Sequence, residues 1–324
     1  MFTRGWAILI DKKIKKNRFE KLNQYLVKTH SEIVPRIAKI DKKVSDRMLS
    51  CGHFVYTCDC KNCDCKHFAG SNRCYCRFCL NCSHLKSLAY VAKNLEKIIP
   101  LMDSYNLNML TMTIKDNENL KHQIQDLKEA WRYVSNSNKY RSQFKSRFVG
   151  GFRSYEIKIG KNSDLWHTHC HAIVLTPKSY AKDYNWFRQA WKHATSDLGS
   201  IEIHKLKQRE GQYLGILKAL YEASKYITSP DKKTLDIDDD RFTELYQNAK
   251  GFRAVNSWGL LYGVVKEAEE YDSESITEDK LINFICQQCG GNEYEIKTVL
   301  RSKMLNESLL DLGGETKWNY GKLL

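Results

Sequence analysis

Trp166-His167-Thr168-His169-Cys170-His171-Ala172-Ile173-Val174-Leu175 decides how this chain reads. The segment from His169 to Leu175 has the composition of a β-strand, ended by Thr176-Pro177. A strand's period of two sends His169 and His171 to one face, and Cys170, Ala172 and Val174 to the other. Two neutral imidazoles a strand step apart can chelate one divalent ion, provided a third ligand comes from a neighbouring strand. Phe152 to Ile159 alternates like a half-buried strand: Tyr155, Ile157 and Ile159 take one face, leaving Glu156 and Lys158 on the other. Glu156 is therefore the candidate third ligand. Two histidines and a carboxylate leave positions open for a substrate oxygen, as Lewis-acid chemistry requires. On spacing alone, a pair of surface histidines remains the default reading.

Working outward, Asn108 to Ile114 is β-rich, and Leu85 to Met102 reads as a helix that Pro100 ends. Leu120 to Val134 has helical spacing, and 184–197 and 211–228 read as further helices. This order of strands and helices predicts an α+β fold with an antiparallel sheet, not a doubly wound parallel one. Neither Gly-x-Gly-x-x-Gly nor Gly-x-x-x-x-Gly-Lys-Ser/Thr occurs, which removes the dinucleotide and P-loop classes. The acidic run Asp236 to Asp240 reads as a surface loop.

The chain has 324 residues and a formal net charge of +14. The charge is uneven: residues 1–265 carry +19 and residues 266–324 carry −5. A basic body of this size favours a polyanionic partner. Residues 10–48 are Lys-rich with apolar positions at helical spacing (Leu22, Tyr25, Leu26; Ile33, Ile37, Ile40, Val44), which suggests basic helices facing DNA or a solvated charged face. No apolar run reaches the roughly 20 residues that span a bilayer. The short apolar start lacks a small-residue cleavage site, so the expectation is a cytoplasmic protein with no membrane partner.

That compartment decides how the twelve cysteines read, nine of which lie between Cys51 and Cys82. In a reducing cytosol, thiols clustered at short spacing are more often metal ligands than disulfides. Cys74-x4-Cys79-x2-Cys82 supplies three thiolates, and a structural Zn2+ closes with four. Cys51, Cys58, Cys60, Cys63, Cys65, Cys76, His53 and His67 compete for the remaining place. Cys58 to Cys65 could hold a second ion, an iron–sulfur cluster suits four thiolates as well, and Cys286-x2-Cys289 is half a site.

In Lys218 to Ile227, read as a helix, Glu222 and Tyr226 fall at i and i+4 on one face. A phenol beside a metal-polarised phosphate becomes a competent nucleophile, and a neighbouring carboxylate can serve as general base. Plain packing is the alternative for this pair, and it is the preferred reading for Tyr221.

Taken in order, Leu110-Thr-Met-Thr113, His169-Cys-His171 and Glu222-x2-Lys225-Tyr226 resemble the three motifs of plasmid rolling-circle replication initiators within the HUH endonuclease superfamily. Cys51-Gly52 and Arg73-Cys74-x4-Cys79-x2-Cys82-Ser83 resemble the cysteine segment that precedes the first motif there. The resemblance covers roughly residues 47–230. It implies a five-stranded antiparallel sheet flanked by helices, with His169 and His171 binding Mg2+ or Mn2+ and Cys51, Cys74, Cys79 and Cys82 as the zinc set. It further implies Tyr226 as the nucleophile that forms a 5′-phosphotyrosyl link, Glu222 as the activator of water for termination, and Lys225 as a phosphate contact. The implied partners are a double-stranded origin, a single-stranded nick site and a host helicase, with self-association into a homodimer left open. Thr168, Cys170 and the cysteine-dense insert at 58–65 depart from the family pattern. Domains are expected at 1–50 (basic helical segment), 51–100 (zinc module and helix), 101–265 (HUH endonuclease domain) and 266–324 (acidic tail). A single-tyrosine transposase, a relaxase and a non-catalytic zinc-dependent DNA-binding regulator are the competing readings.

Overall fold

The computed structural model describes residues 31–63, 66–180, 184–206, 214–225, 236–273, 293–300 and 318–319. The helices used below are α1 (residues 31–40), α2 (Lys42–Leu49), α3 (Leu80–Ile98), α4 (Leu120–Asn136), α5 (Arg141–Arg147), α6 (Asn185–Ala194) and α7 (Leu214–Lys225). The strands are β1 (Phe54–Cys60), β2 (Lys66–Ser71), β3 (Tyr105–Thr113), β4 (Gly150–Ile159), β5 (Trp166–Pro177), β6 (Ser200–Lys205), β7 (Val255–Gly259), β8 (Tyr294–Leu300) and β9 (Trp318–Asn319). The chain divides into two compact units, one made of 1–82 with 273–324 and the other of 83–272.

In the second unit, β5 is the middle of a five-stranded sheet of order β6-β3-β5-β4-β7, with every pairing antiparallel. Its apolar run Ala172 to Leu175 is fully buried, as a strand with neighbours on both edges and helices on both faces requires. The α+β antiparallel sheet flanked by helices expected from the motif order is thus what the chain forms.

One face of this sheet is covered by α4, whose Leu120, Ile124, Leu127, Trp131 and Val134 form a buried stripe at helical spacing. Trp131 packs edge-on against Phe144 of α5 at 5.6 Å and Trp258 of β7 at 5.3 Å, and the Arg153 guanidinium lies 4.5 Å over its ring. The other face meets α3 and α7 at one end. Tyr90 of α3 packs 5.8 Å from Phe152, and the Ser154 hydroxyl donates to the carbonyl oxygen of Ala223 in α7. The Ser224 carbonyl of the same helix accepts from Ser87 Oγ of α3 at 3.0 Å.

In the first unit, a four-stranded sheet has the order β8-β1-β2-β9. The stretch 266–324, read from its charge as an acidic tail, supplies β8, which pairs antiparallel with the whole of β1. Charge composition carries no information on backbone pairing, which is why this strand was not visible in the sequence. Helices α1 and α2 bury Ile33, Val34, Ile37 and Met48 and expose their lysines, so residues 31–49 have an apolar stripe beneath the basic face. Leu22, Tyr25 and Leu26 lie outside the described residues. The acidic run at 236–240 is not only a loop. Asp238 caps the helix Asp239–Ala249 by accepting from the Arg241 amide at 2.8 Å, and Asp239 and Asp240 complement the positive helix start.

Gly151 is forced by packing. A Cβ there would lie 2.3 Å from the Trp258 ring and 2.9 Å from the backbone oxygen of Ile173. Gly151→Ala is expected to destabilise the protein by about 1–3 kcal/mol, seen as a Tm several degrees lower in a thermal melt.

Candidate functional site

The register of β5 with its neighbours sets out the histidine face rung by rung. His169 stands opposite Glu156 of β4 and Thr113 of β3, and His171 stands opposite Ser154 and Thr111. Because side chains in register share a face, Glu156, His169 and His171 converge, and their ligand atoms all lie within 4.8 Å of one another.

The electrostatics of this cluster suit a cation. Glu156, 2% exposed, reaches His171 Nε2 at 3.0 Å and the Lys158 ammonium at 2.5 Å. Thr111 Oγ1 lies 3.2 Å from His171 Nδ1. A proton on Nδ1 donated to Thr111 leaves the Nε2 lone pair for an ion, the outer-shell arrangement by which ligating histidines are oriented. Burial, followed by the imidazoles of His167 and His171 and the charge of Lys158, lowers the pKa of His169 to about 3. It is therefore a neutral imidazole at physiological pH, and its buried Nδ1 has no hydrogen-bond partner among the described residues. Two imidazoles, a buried carboxylate and a ring nitrogen of His169 with no partner among the described residues fit a divalent cation.

His167 projects to the same face, its ring 4.4 Å from that of His169, and its Nδ1 pairs with Asp116, which also accepts from Ser163. Asp116 carries no local mark in the sequence, because its pairing depends on the bridge between Asn117 and Trp166 that carries it beside β5. Thr111 and Ser154 were legible only as strand residues. Their parity with His171 and Glu156 was the available signal.

The elements expected to carry the reaction are placed less completely. Glu222 is half-buried on α7, one residue before the Ala223 carbonyl that Ser154 anchors to this sheet face. Lys225 is the last residue of α7. Tyr226 follows it and lies outside the described residues. Tyr221 is 40% exposed, so the packing role preferred for it does not hold: it falls on the outer side of the helix, away from the buried Ile216, Leu220 and Ala223.

In the first unit, Cys51, Cys74, Cys79 and Cys82 come together from three places: the turn after α2, the turn after β2, and the start of α3. All four are at most 5% exposed. Their Sγ atoms are 3.4 Å apart for Cys51 and Cys82, 3.5 Å for Cys51 and Cys79, and 3.7 Å for Cys74 and Cys82. A zinc–sulfur bond of 2.3 Å gives tetrahedral edges of about 3.8 Å, close to these values. The amides of Cys74 and Cys76 point at the sulfurs of Cys51 and Cys74, both at 3.4 Å. The four thiols divide their protons unequally: hydrogen bonds from Cys51, Cys74 and Cys79 hold the Cys82 thiol well below its ordinary pKa, while contacts led by the one with Cys51 push the Cys74 and Cys79 thiols up. Asn72 joins the two turns: its backbone oxygen accepts from Gly52, its side-chain oxygen accepts from Phe54, and its amide donates to Ser50. Gly52 at φ +74° makes the first turn possible.

No described helix is long and apolar enough to cross a membrane. A family model described as Rep_1, replication protein, matches residues 65–300. A "Protein rep" from Bacillus sp is 25% identical over 231 residues, which cover 62% of this chain and 73% of that protein. A "Protein rep" from Bacillus amyloliquefaciens is 26% identical over 231 residues, covering 62% of this chain and 66% of that protein. No solved structure matches the chain. With the family model spanning well over half of its residues, this chain belongs to the Rep_1 replication protein family, the plasmid replication initiators that its motifs resemble.

Proposed function

We propose that this protein initiates rolling-circle replication of a plasmid by binding DNA at the origin and nicking one strand through Tyr226, as an endonuclease of the HUH superfamily. The observation that carries the reading is the convergence of Glu156, His169 and His171 on one sheet face, the face to which Ser154 anchors the helix that runs into Tyr226.

Glu156, His169 and His171 would hold Mg2+ or Mn2+. Bound there, the ion would polarise a non-bridging phosphate oxygen and offset the negative charge that develops as the phosphorus is attacked. The Tyr226 phenolic oxygen forms a bond to phosphorus as the bond to the 3′ oxygen breaks. The products are a 5′-phosphotyrosyl link and a 3′-hydroxyl that has taken up a proton and can prime synthesis. Glu222, four residues earlier on α7, accepts a proton from water in the cleavage that ends the round. Lys225 offers its ammonium group to the phosphate. Cys51, Cys74, Cys79 and Cys82 would hold Zn2+ in a structural role, since four buried thiolates leave no open position for substrate. The net charge of +14 favours the DNA backbone, and this attraction is sensitive to salt.

The rival reading is a DNA-binding regulator that does not cut. Incubating the protein with a randomised single-stranded DNA pool and Mn2+, then resolving products on a denaturing gel, separates the two. A covalent adduct is expected from the unsubstituted chain and none from Tyr226→Phe, with DNA binding retained. DNA that binds without any adduct would establish the regulator instead.

His169→Ala is expected to lower metal-dependent cleavage by about 10²-fold or more while leaving the melting curve nearly unchanged, since it removes one electrostatic support of the developing charge. Glu222→Ala should nick at close to the normal rate yet accumulate multimeric products in a replication assay. Monomeric circles from that variant would refute its role in termination.

A further inference from the structure

We propose that Arg153 and Lys128 form a phosphate-binding site on the sheet face turned away from the histidines, and that its ligand is a backbone phosphate of duplex DNA outside the strand that is cut. The inference rests on the DNA binding proposed above and not on the cleavage chemistry.

The register of the sheet separates this site from the histidine face. Arg153 and Tyr155 alternate with Ser154 and Glu156 along β4 and stand opposite Ala172 and Cys170 of β5, so they lie on the face that α4 covers. There the Arg153 guanidinium lies 4.5 Å from the centre of the Trp131 ring and 5.2 Å from that of Tyr155. The Tyr155 ring continues to Phe252 at 5.6 Å, and the Lys128 ammonium of α4 lies 4.6 Å over Phe252. Two cations from different elements are thus set on one floor of aromatic rings.

No described side chain neutralises them. Among the described residues neither Arg153 nor Lys128 has an ion-pair partner, and the buried Nε and Nη1 of Arg153 have no hydrogen-bond partner. Glu129, next to Lys128 in the chain, accepts instead from Gln125 at 3.0 Å. Partial burial, and then the charge of Arg153, lower the pKa of Lys128, as like charges do with no anion between them. Stacking takes up the faces of the guanidinium plane, whereas its N–H donors lie in the plane, at the edge. Buried donors left unpaired are costly, and an oxyanion at the half-buried edge would satisfy them while offsetting both charges. The surroundings favour a row of phosphates over a single small anion. Lys121 and Lys128 are both exposed and share one side of α4, about 10 Å apart, and the exposed Lys250 and Arg253 flank Phe252 in the chain.

The test measures binding of the full chain to duplex DNA, without added divalent metal, over a series of salt concentrations. The slope of log K against log salt counts the phosphates neutralised, at about 0.9 for each. Lys128→Gln and Arg153→Gln are each expected to make the slope shallower by about 0.9. Lys192→Gln, which removes a lysine paired with Asp197 at 3.6 Å, should leave it unchanged. An unchanged slope in either folded variant would overturn the proposal, as would an equal loss in Lys192→Gln, which marks a general effect of charge. Lys128 is exposed, so Lys128→Gln should melt together with the unsubstituted chain and keeps the test decisive if Arg153→Gln, deprived of its stack, fails to fold. A small phosphate compound is the other source of the same chemistry. If pyrophosphate raises the Tm of the unsubstituted chain but not of Lys128→Gln, while their DNA slopes agree, the site holds that compound and the DNA assignment falls. Lys128→Gln should still form the covalent adduct with short single-stranded DNA. No adduct from the unsubstituted chain, with the slopes as expected, would refute the cleavage reading and leave this site standing.

Discussion

The arrangement of the histidine face depends on the register between β4 and β5, which sets Glu156 directly across from His169. Side chains on a strand alternate with a period of two, so a slip of one residue would turn Glu156 to the opposite face and bury Tyr155 or Ile157 against the histidines. The sheet resists such a slip from several sides. β5 is bonded along both edges, and its apolar half is fully buried. Gly151 leaves the Trp258 ring the space it occupies, because any Cβ at that place meets the indole. The position of α7 follows from the same register, since Ser154 faces the Ala223 carbonyl only when Glu156 faces His169.

The first unit is held by a different kind of constraint. Among its described residues, α1 and α2 bury Ile33, Val34, Ile37 and Met48, and four buried thiols come together from turns distant in sequence. Thiols at van der Waals separation gain little by packing alone, whereas as thiolates they would repel one another strongly without a cation between them. A module whose four thiols hold an ion couples metal binding to folding. Spacing alone reduced this site to three cysteines and a set of rivals for the fourth place, and the family resemblance pointed to Cys51, which is the one that joins them. Asn72 removed the ambiguity in three dimensions by joining the turn at Ser50 to Phe54 with the turn that leads to Cys74.

Where the reading of the sequence went astray, the cause was an interaction invisible to periodicity. Tyr221 looked like a core residue from its apolar neighbours on the helix, but the buried side of α7 is centred on Ile216, Leu220 and Ala223. The acidic residues at 236–240 looked like loop because of their charge, although Asp238 is a helix cap that accepts from the Arg241 amide. Asp116 drew no notice at all, since nothing local marks a carboxylate that pairs with a histidine 51 residues away.

What the sequence alone determined was everything that follows from local alternation and spacing. It determined the strands around His169 and Glu156, the face each side chain takes, the helix at Leu120, the α+β class and the three-thiol core of the cysteine cluster. These are set within a few residues, by the pleat of a strand and the pitch of a helix. Only the tertiary structure decided which strand lies beside which, how the turns that carry the four cysteines meet, and that residues 294–300 return to pair with β1. Those outcomes rest on backbone hydrogen bonds and buried contacts between segments far apart in the chain. Their partners carry no mark in local sequence, because a backbone amide bonds to any carbonyl that packing brings within reach.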